Sequence, residues 1–148
     1  MVSDYGERVY EYTVSFTWEK RGDMSLTIEK PAELSGITAS VSQGETLLEY
    51  EGARLETGPL SSDGLSPING VGKALDYMMN GYIARYGSEE LEGRGAMRLQ
   101  FQEPEQAAGE GVEAILWIDK ETGAMLQSEL SEGGFTVLRC TYTAFTKG

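Results

Sequence analysis

Residues 10–18 alternate without a break. Tyr10, Tyr12, Val14, Phe16 and Trp18 take the even positions, and Glu11, Thr13, Ser15 and Thr17 the odd ones. Successive side chains of a strand point to opposite faces, so this run predicts a strand with one apolar, aromatic face and one polar face. A turn at Lys20-Arg21-Gly22-Asp23 leads to a second alternating run, Met24, Leu26 and Ile28 against Ser25, Thr27 and Glu29, which Pro31 ends. The third run sets Ile37, Ala39 and Val41 against Thr38, Ser40 and Ser42. Runs over 46–50 and 53–57 flank Glu51-Gly52, a tight-turn signal. Turns this short join antiparallel neighbours, because parallel strands need long crossovers.

The period then changes. After a loop over 58–67 rich in Ser, Gly and Pro, Ser66 is placed to cap a helix and Pro67 suits its first turn. Ile68, Val71, Leu75, Met78, Met79, Tyr82 and Tyr86 follow at three-and-four spacing, which predicts an amphipathic helix over 67–86 closed by Gly87. Gly70, Gly72 and Gly81 weaken it by about 0.5–1 kcal/mol each relative to Ala, so it depends on packing against a sheet. Strands resume at 96–102, with Met97, Leu99 and Phe101 inward, and at 112–118, where Ile115 and Trp117 oppose Leu116 and Ile118. Apolar on both faces, the latter reads as a central strand. Asp119-Lys120-Glu121-Thr122-Gly123 turns the chain into 125–130, and Glu132-Gly133-Gly134 joins that to 135–145. About nine strands and one inserted helix make an α+β domain over residues 1–148. The expected form is a strongly curved antiparallel sheet with the helix covering its concave face.

Composition narrows the chemistry. The net charge is −12, from 24 acidic and 12 basic residues. Phosphate contacts need Lys and Arg clusters, so nucleic acid is excluded as a partner, and attraction to an anionic bilayer surface is disfavoured. A basic protein partner remains compatible with this charge. There is no histidine, which removes the commonest general base and zinc ligand. The one cysteine, Cys140, alternates with Leu138 and Tyr142 and reads as a small buried apolar residue. Asn69-Gly70-Val71-Gly72-Lys73-Ala74 fails as a phosphate loop, with Pro67 in place of its first Gly and Ala74 in place of Ser or Thr. Asp119-Lys120-Glu121 lacks the alternating ligands of a calcium loop. Glu89-Glu90 and Glu103/Glu105 fall in expected loops among many solvated acids, where nothing isolates a catalytic pair from water. No catalytic residue, metal or cofactor is therefore expected. No apolar run approaches the roughly 20 residues that span a bilayer. The first residues, Met1-Val2-Ser3-Asp4, lack the basic and apolar regions of a signal peptide, which fits a cytoplasmic protein or a chain that begins after a removed export segment.

The aromatic face and the helix remain. Tyr77, Met78, Met79, Tyr82 and Tyr86 crowd one segment. Met packs against irregular shapes, so the segment suits a lid over a lipid pocket, or else it simply fills the core. Several local phrases bear on that choice. Leu116-Trp117-Ile118-Asp119-Lys120-Glu121-Thr122-Gly123-Ala124-Met125-Leu126 resembles the strand, Asp-x-x-Thr-Gly turn and strand of the LolA-like family of bacterial envelope proteins. The long opening aromatic strand, Ile28-Glu29-Lys30-Pro31, Leu48-Glu49-Tyr50-Glu51-Gly52 and a helix entering near Pro67 resemble it as well.

That resemblance implies an incomplete β-barrel whose apolar concavity holds acyl chains. The ligand-binding residues it implies are then Tyr12, Val14, Phe16, Trp18, Leu26, Ile28, Leu75, Met78, Met79 and Tyr82. Arg54 and Arg98 are the candidates for the inner-strand arginine that bonds to the lid in the family's dedicated carrier. That carrier also displays a basic docking surface, unlike this acidic chain. The resemblance thus implies an extracytoplasmic lipoprotein domain of a Gram-positive bacterium, held to the membrane only through a lost N-terminal lipid anchor. It also implies an alternative, a regulatory envelope module, because some relatives in spore formers are partners of cell-wall amidases.

Overall fold

The computed structural model describes residues 1–19, 22–43, 45–58 and 65–146. Among them, twelve strands and one α-helix form. The chain divides into two compact units, Met1–Gly72 and Lys73–Gly148, with the division inside helix α1, Pro67–Asn80.

In the first unit, β1 (Val2–Asp4) and β2 (Val9–Glu11) form a hairpin. Five further strands form an antiparallel sheet in sequence order: β3 (Thr13–Trp18), β4 (Met24–Lys30), β5 (Thr38–Ser42), β6 (Glu45–Tyr50) and β7 (Ala53–Gly58). This is the meander that the alternation predicts. At the Glu51-Gly52 turn both residues have positive φ, 49° and 83°, as a two-residue hairpin with the strands' own twist requires. Lys20 and Arg21 of the first expected turn, and positions 59–64 of the expected loop, lie outside the described residues.

The expected single strand over 10–18 is two strands. β2 pairs with β1 and β3 pairs with β4, and the change of partner falls at Tyr12. Side-chain alternation continues through such a break, so the pattern cannot reveal it. β1 also escapes the pattern, since three residues are too few to show a period.

The second unit holds β8 (Ile83–Leu91), β9 (Arg94–Phe101), β10 (Val112–Asp119), β11 (Met125–Glu132) and β12 (Phe135–Thr141). They are antiparallel, in the order β12-β11-β10-β9-β8, so β10 is internal as its two apolar faces predict. The helix is shorter than expected. It ends at Asn80, Tyr82 lies beyond it, and residues 83–91, read as the end of a helix and a loop, are strand β8. Pairing decides this: β8 is joined to β9 by Glu92-Gly93, a second positive-φ turn, and registers with it from Ile83↔Phe101 to Leu91↔Arg94. Gly87 accordingly sits in mid-strand. β12 likewise stops at Thr141, four residues short of the expected end. With β1, β8 and the split first strand, these changes raise the count from about nine to twelve.

The start of α1 is as the sequence indicates. The Asn69 amide donates to Ser66 Oγ at 3.3 Å, and the Ser66 amide donates to Asn69 Oδ1 at 2.8 Å. These reciprocal bonds satisfy backbone donors that helix geometry leaves free. Within the second unit the helix end packs on the sheet. The Tyr77 ring lies 6.1 Å from that of Phe101, and its hydroxyl donates to the Val112 carbonyl at 3.2 Å. Phe101, Leu116, Met125, Leu130 and Leu138 are buried, as are Ala114 and Cys140.

Candidate functional site

The register of the first sheet converts the sequence alternation into a surface. Phe16 pairs with Leu26, Leu26 with Ala39, Ala39 with Leu48, and Leu48 with Leu55. A second row runs Trp18, Met24, Val41, Thr46, and a third pairs Val14 with Ile28. Directly opposite residues share a face, so these rows make one apolar face across five strands. The other face is polar: Thr27 and Thr38 hydroxyls meet at 3.0 Å, and Arg54 pairs with Glu49 at 2.6 Å.

The apolar face is unevenly covered. Leu26 and Ala39 are each 2% exposed. Tyr12, Val14, Phe16 and Trp18 are half-buried, as is Ile28. Met24 marks a close approach, since a Cβ added to Gly72 of α1 would stand 2.8 Å from its sulfur. Thr46 is buried on this face, and its hydroxyl has no hydrogen-bond partner among the described residues. Met24, Ala39, Val41, Thr46 and Leu48 were not among the expected site residues. Extending the alternation through each hairpin would have found them.

The sequence-predicted residues thus fall in two groups. Val14, Phe16, Leu26 and Ile28 are direct cross-strand neighbours on the first sheet, with Trp18 beside Met24, whereas Tyr12 precedes the paired stretch and its ring stacks 6.3 Å from that of Tyr10. Leu75, Met78, Met79 and Tyr82 belong to the second unit. Leu75 is buried, whereas Met78, Met79 and Tyr82 are 40%, 41% and 57% exposed. Tyr77, not one of the ten, is the helix aromatic that is buried. Of the two arginine candidates, Arg54 engages Glu49 on the polar face, and Arg98 lies 5.8 Å from the centre of the Trp117 ring.

Polar groups of the second unit are mostly structural. Trp117 packs with Ala96 and Leu126, and its Nε1–H donates to Glu89. The Asp119 carboxylate accepts the amides of Glu121 and Thr122 at 2.8 and 3.0 Å, which shapes the β10–β11 turn. Those amide bonds, that of Thr122 above all, hold the Asp119 carboxyl below the usual carboxylate range. Burial pushes the Cys140 thiol and the Tyr142 phenol up, so both stay neutral near pH 7. A thiol so placed is a poor nucleophile. A groove of about 290 Å³ lies along Leu91, Arg94, Leu126, Gln127, Thr141 and Tyr142, and it includes none of the expected residues. No cluster of three metal-ligating side chains occurs among the described residues. No described helix is long and apolar enough to cross a membrane.

No protein-family model matches the sequence, and no curated protein does. Solved structures do. One chain of the CwlD amidase from Clostridioides difficile in complex with the GerS lipoprotein matches with a TM-score of 0.55 at 12% identity, over 95% of this chain and 74% of that one. The LolA superfamily protein NE2245 from Nitrosomonas europaea matches with a TM-score of 0.51 at 12% identity, over 99% of this chain and 67% of its own. The fold is LolA-like. At this identity the likeness concerns architecture, and in the sequence the phrase from Leu116 to Leu126, with its Asp-x-x-Thr-Gly turn, carried it most specifically.

Proposed function

We propose that residues 1–148 form one non-enzymatic, extracytoplasmic LolA-like domain that binds a lipid or another apolar ligand on the apolar face of the first sheet. The observation that carries this reading is the run of half-buried Val14, Phe16, Trp18 and Ile28 around a buried Leu26. Half-buried aromatic and aliphatic side chains on one continuous apolar face leave apolar surface for a ligand to cover. The absence of histidine from the sequence and the neutral, buried Cys140 favour binding over catalysis. In this reading the chain is held at a Gram-positive cell membrane by an N-terminal lipid anchor.

The test is to extract the purified protein with organic solvent, identify bound lipid by mass spectrometry, and titrate a fluorescent fatty acid. Co-purified lipid or saturable uptake is expected. A protein that carries no lipid and takes up no probe would end this reading.

A second reading, an envelope module that binds a cell-wall enzyme, is favoured by an aromatic group near the start of the chain. Tyr5, Val9 and Tyr10 are 47%, 61% and 38% exposed, and the Tyr5 and Tyr10 rings meet edge-on at 6.4 Å. Exposed tyrosines are typical interface anchors, and one matched structure contains an amidase in complex with a lipoprotein. This reading expects Tyr5→Ala with Tyr10→Ala to abolish capture of a basic envelope hydrolase. Unchanged capture by that variant would contradict it.

A further inference from the structure

Strand β8 ends the strand order of the second unit, and no strand pairs with its outer side among the described residues. It is long, nine residues from Ile83 to Leu91, and exposed along nearly its whole length. Tyr86 is 81% exposed, and Met97, which pairs with Ser88 on the adjacent β9, is 43% exposed. A long open edge is a template for another strand, and proteins ordinarily blunt such edges. This one contains no proline, its one register shift against β9 lies at its start, between Ile83 and Arg85, and beyond that the edge carries both signs of charge, Arg85 against Glu89 and Glu90.

We propose that the outer edge of β8 pairs antiparallel with β8 of a second copy of this chain, about a two-fold axis at Gly87. The register follows from the chemistry. In an antiparallel pair, both residues of an opposed couple turn the same way along the edge, so the axis of a symmetric pair must fall on a residue. An axis on Tyr86 would set Ile83 opposite Glu89, and one on Ser88 would set Tyr86 opposite Glu90. An axis on Glu89 would oppose that carboxylate to itself. The axis on Gly87 sets Arg85 opposite Glu89 of the second copy, twice by symmetry, and Tyr86 opposite Ser88 of the second copy.

The last pairing matters for Tyr86. Ser88 is small, and its neighbour behind it is Met97. Tyr86 therefore lies across the second copy's Ser88 toward that exposed methionine. Arg85 and Glu89 face the side of the sheet that holds Trp117, whose Nε1–H already donates to Glu89 within the chain, so Arg85 of the second copy joins as that carboxylate's second donor; Tyr86 and Met97 face the opposite side. The self-complementarity selects a second copy over an unrelated acidic or neutral segment. A single strand seam is small, so the dimer is weak, with Kd of about 10–100 μM. It involves the second unit alone and does not depend on the proposed apolar-ligand role.

Sedimentation velocity on the full chain over about 5–500 μM tests this, with charge variants and a cross-link. Wild type is expected to shift from monomer to dimer. Arg85→Glu and Glu89→Arg each oppose like charges at both couples, so each alone weakens the dimer about tenfold or more. Mixed one to one they restore complementary couples, and a mixed dimer forms; a purely structural defect in either variant would not be rescued in this way. Gly87→Cys places a thiol where an added Cβ meets nothing within 4 Å, so the variant should fold and form an intermolecular disulfide on mild oxidation. Wild type, whose Cys140 is buried, should not. A wild type that stays monomeric throughout would overturn the proposal. So would a dimer insensitive to both charge variants, or one that the cysteine at position 87 fails to trap.

Discussion

Asp119 shows how much a single residue's surroundings decide. Its position after a two-faced apolar strand and before Thr-Gly identified a turn, and the structure adds that its carboxylate is the acceptor that organises that turn. The folded chain favours the charged form, because the amides of Thr122 and Glu121 donate to it and Arg94 stands 3.9 Å away. A depressed folded pKa contributes stability that is present above the usual carboxylate range and is lost as the pH falls through the lower folded value. Asp119→Asn should therefore be less stable than wild type at pH 7, and the two should converge as the pH falls below the usual carboxylate range. Urea midpoints measured across that range check this. Other residues were less legible. Glu89 looked like one of many solvated acids, yet it accepts the Trp117 indole N–H, because strand pairing across β8, β9 and β10 brings distant positions together. No local pattern encodes that.

Elements were legible where the period is long and the ends are marked. The β3–β7 meander follows from alternation and Glu-Gly chemistry, and α1 begins at Ser66-Pro67 as its cap predicts. The helix end was misread because Tyr82 and Tyr86 happen to continue a helical spacing. The contrary signal was Glu92-Gly93, the same dipeptide that correctly marked the turn at Glu51-Gly52. Gly81 is where the helix stops, and it has no room for a side chain. A Cβ there would stand 2.5 Å from the Tyr77 carbonyl oxygen and 2.8 Å from Phe101 Cδ1. Gly81→Ala should cost about 1–3 kcal/mol, because backbone and a packed ring cannot yield cheaply. Gly72→Ala meets only the flexible end of Met24, and the added helix propensity offsets that shift. It should change stability by less than about 1 kcal/mol. Chemical denaturation of the two variants side by side checks the contrast, and equal losses would contradict it.

At the scale of the whole molecule, the charge of −12 and the absence of histidine narrowed the expected chemistry more than any motif did. The LolA-like architecture was legible because it is built from amphipathic strands and turn residues, which a single sequence displays. The candidate site was legible only on the first sheet, where Val14, Phe16, Leu26 and Ile28 are neighbours by register. Which face α1 buries was not legible, because helical spacing marks a stripe without saying that Tyr77 is buried while Met78 and Met79 stay exposed. The central claim is that the apolar face of β3 and β4 holds an apolar ligand. Photolabelling of the full chain with a diazirine-bearing fatty acid, followed by peptide mapping, tests it most directly. Adducts on residues 12–28, competed away by unlabelled fatty acid, are the predicted result. Labelling confined to other segments, or labelling that excess fatty acid leaves unchanged, would contradict it.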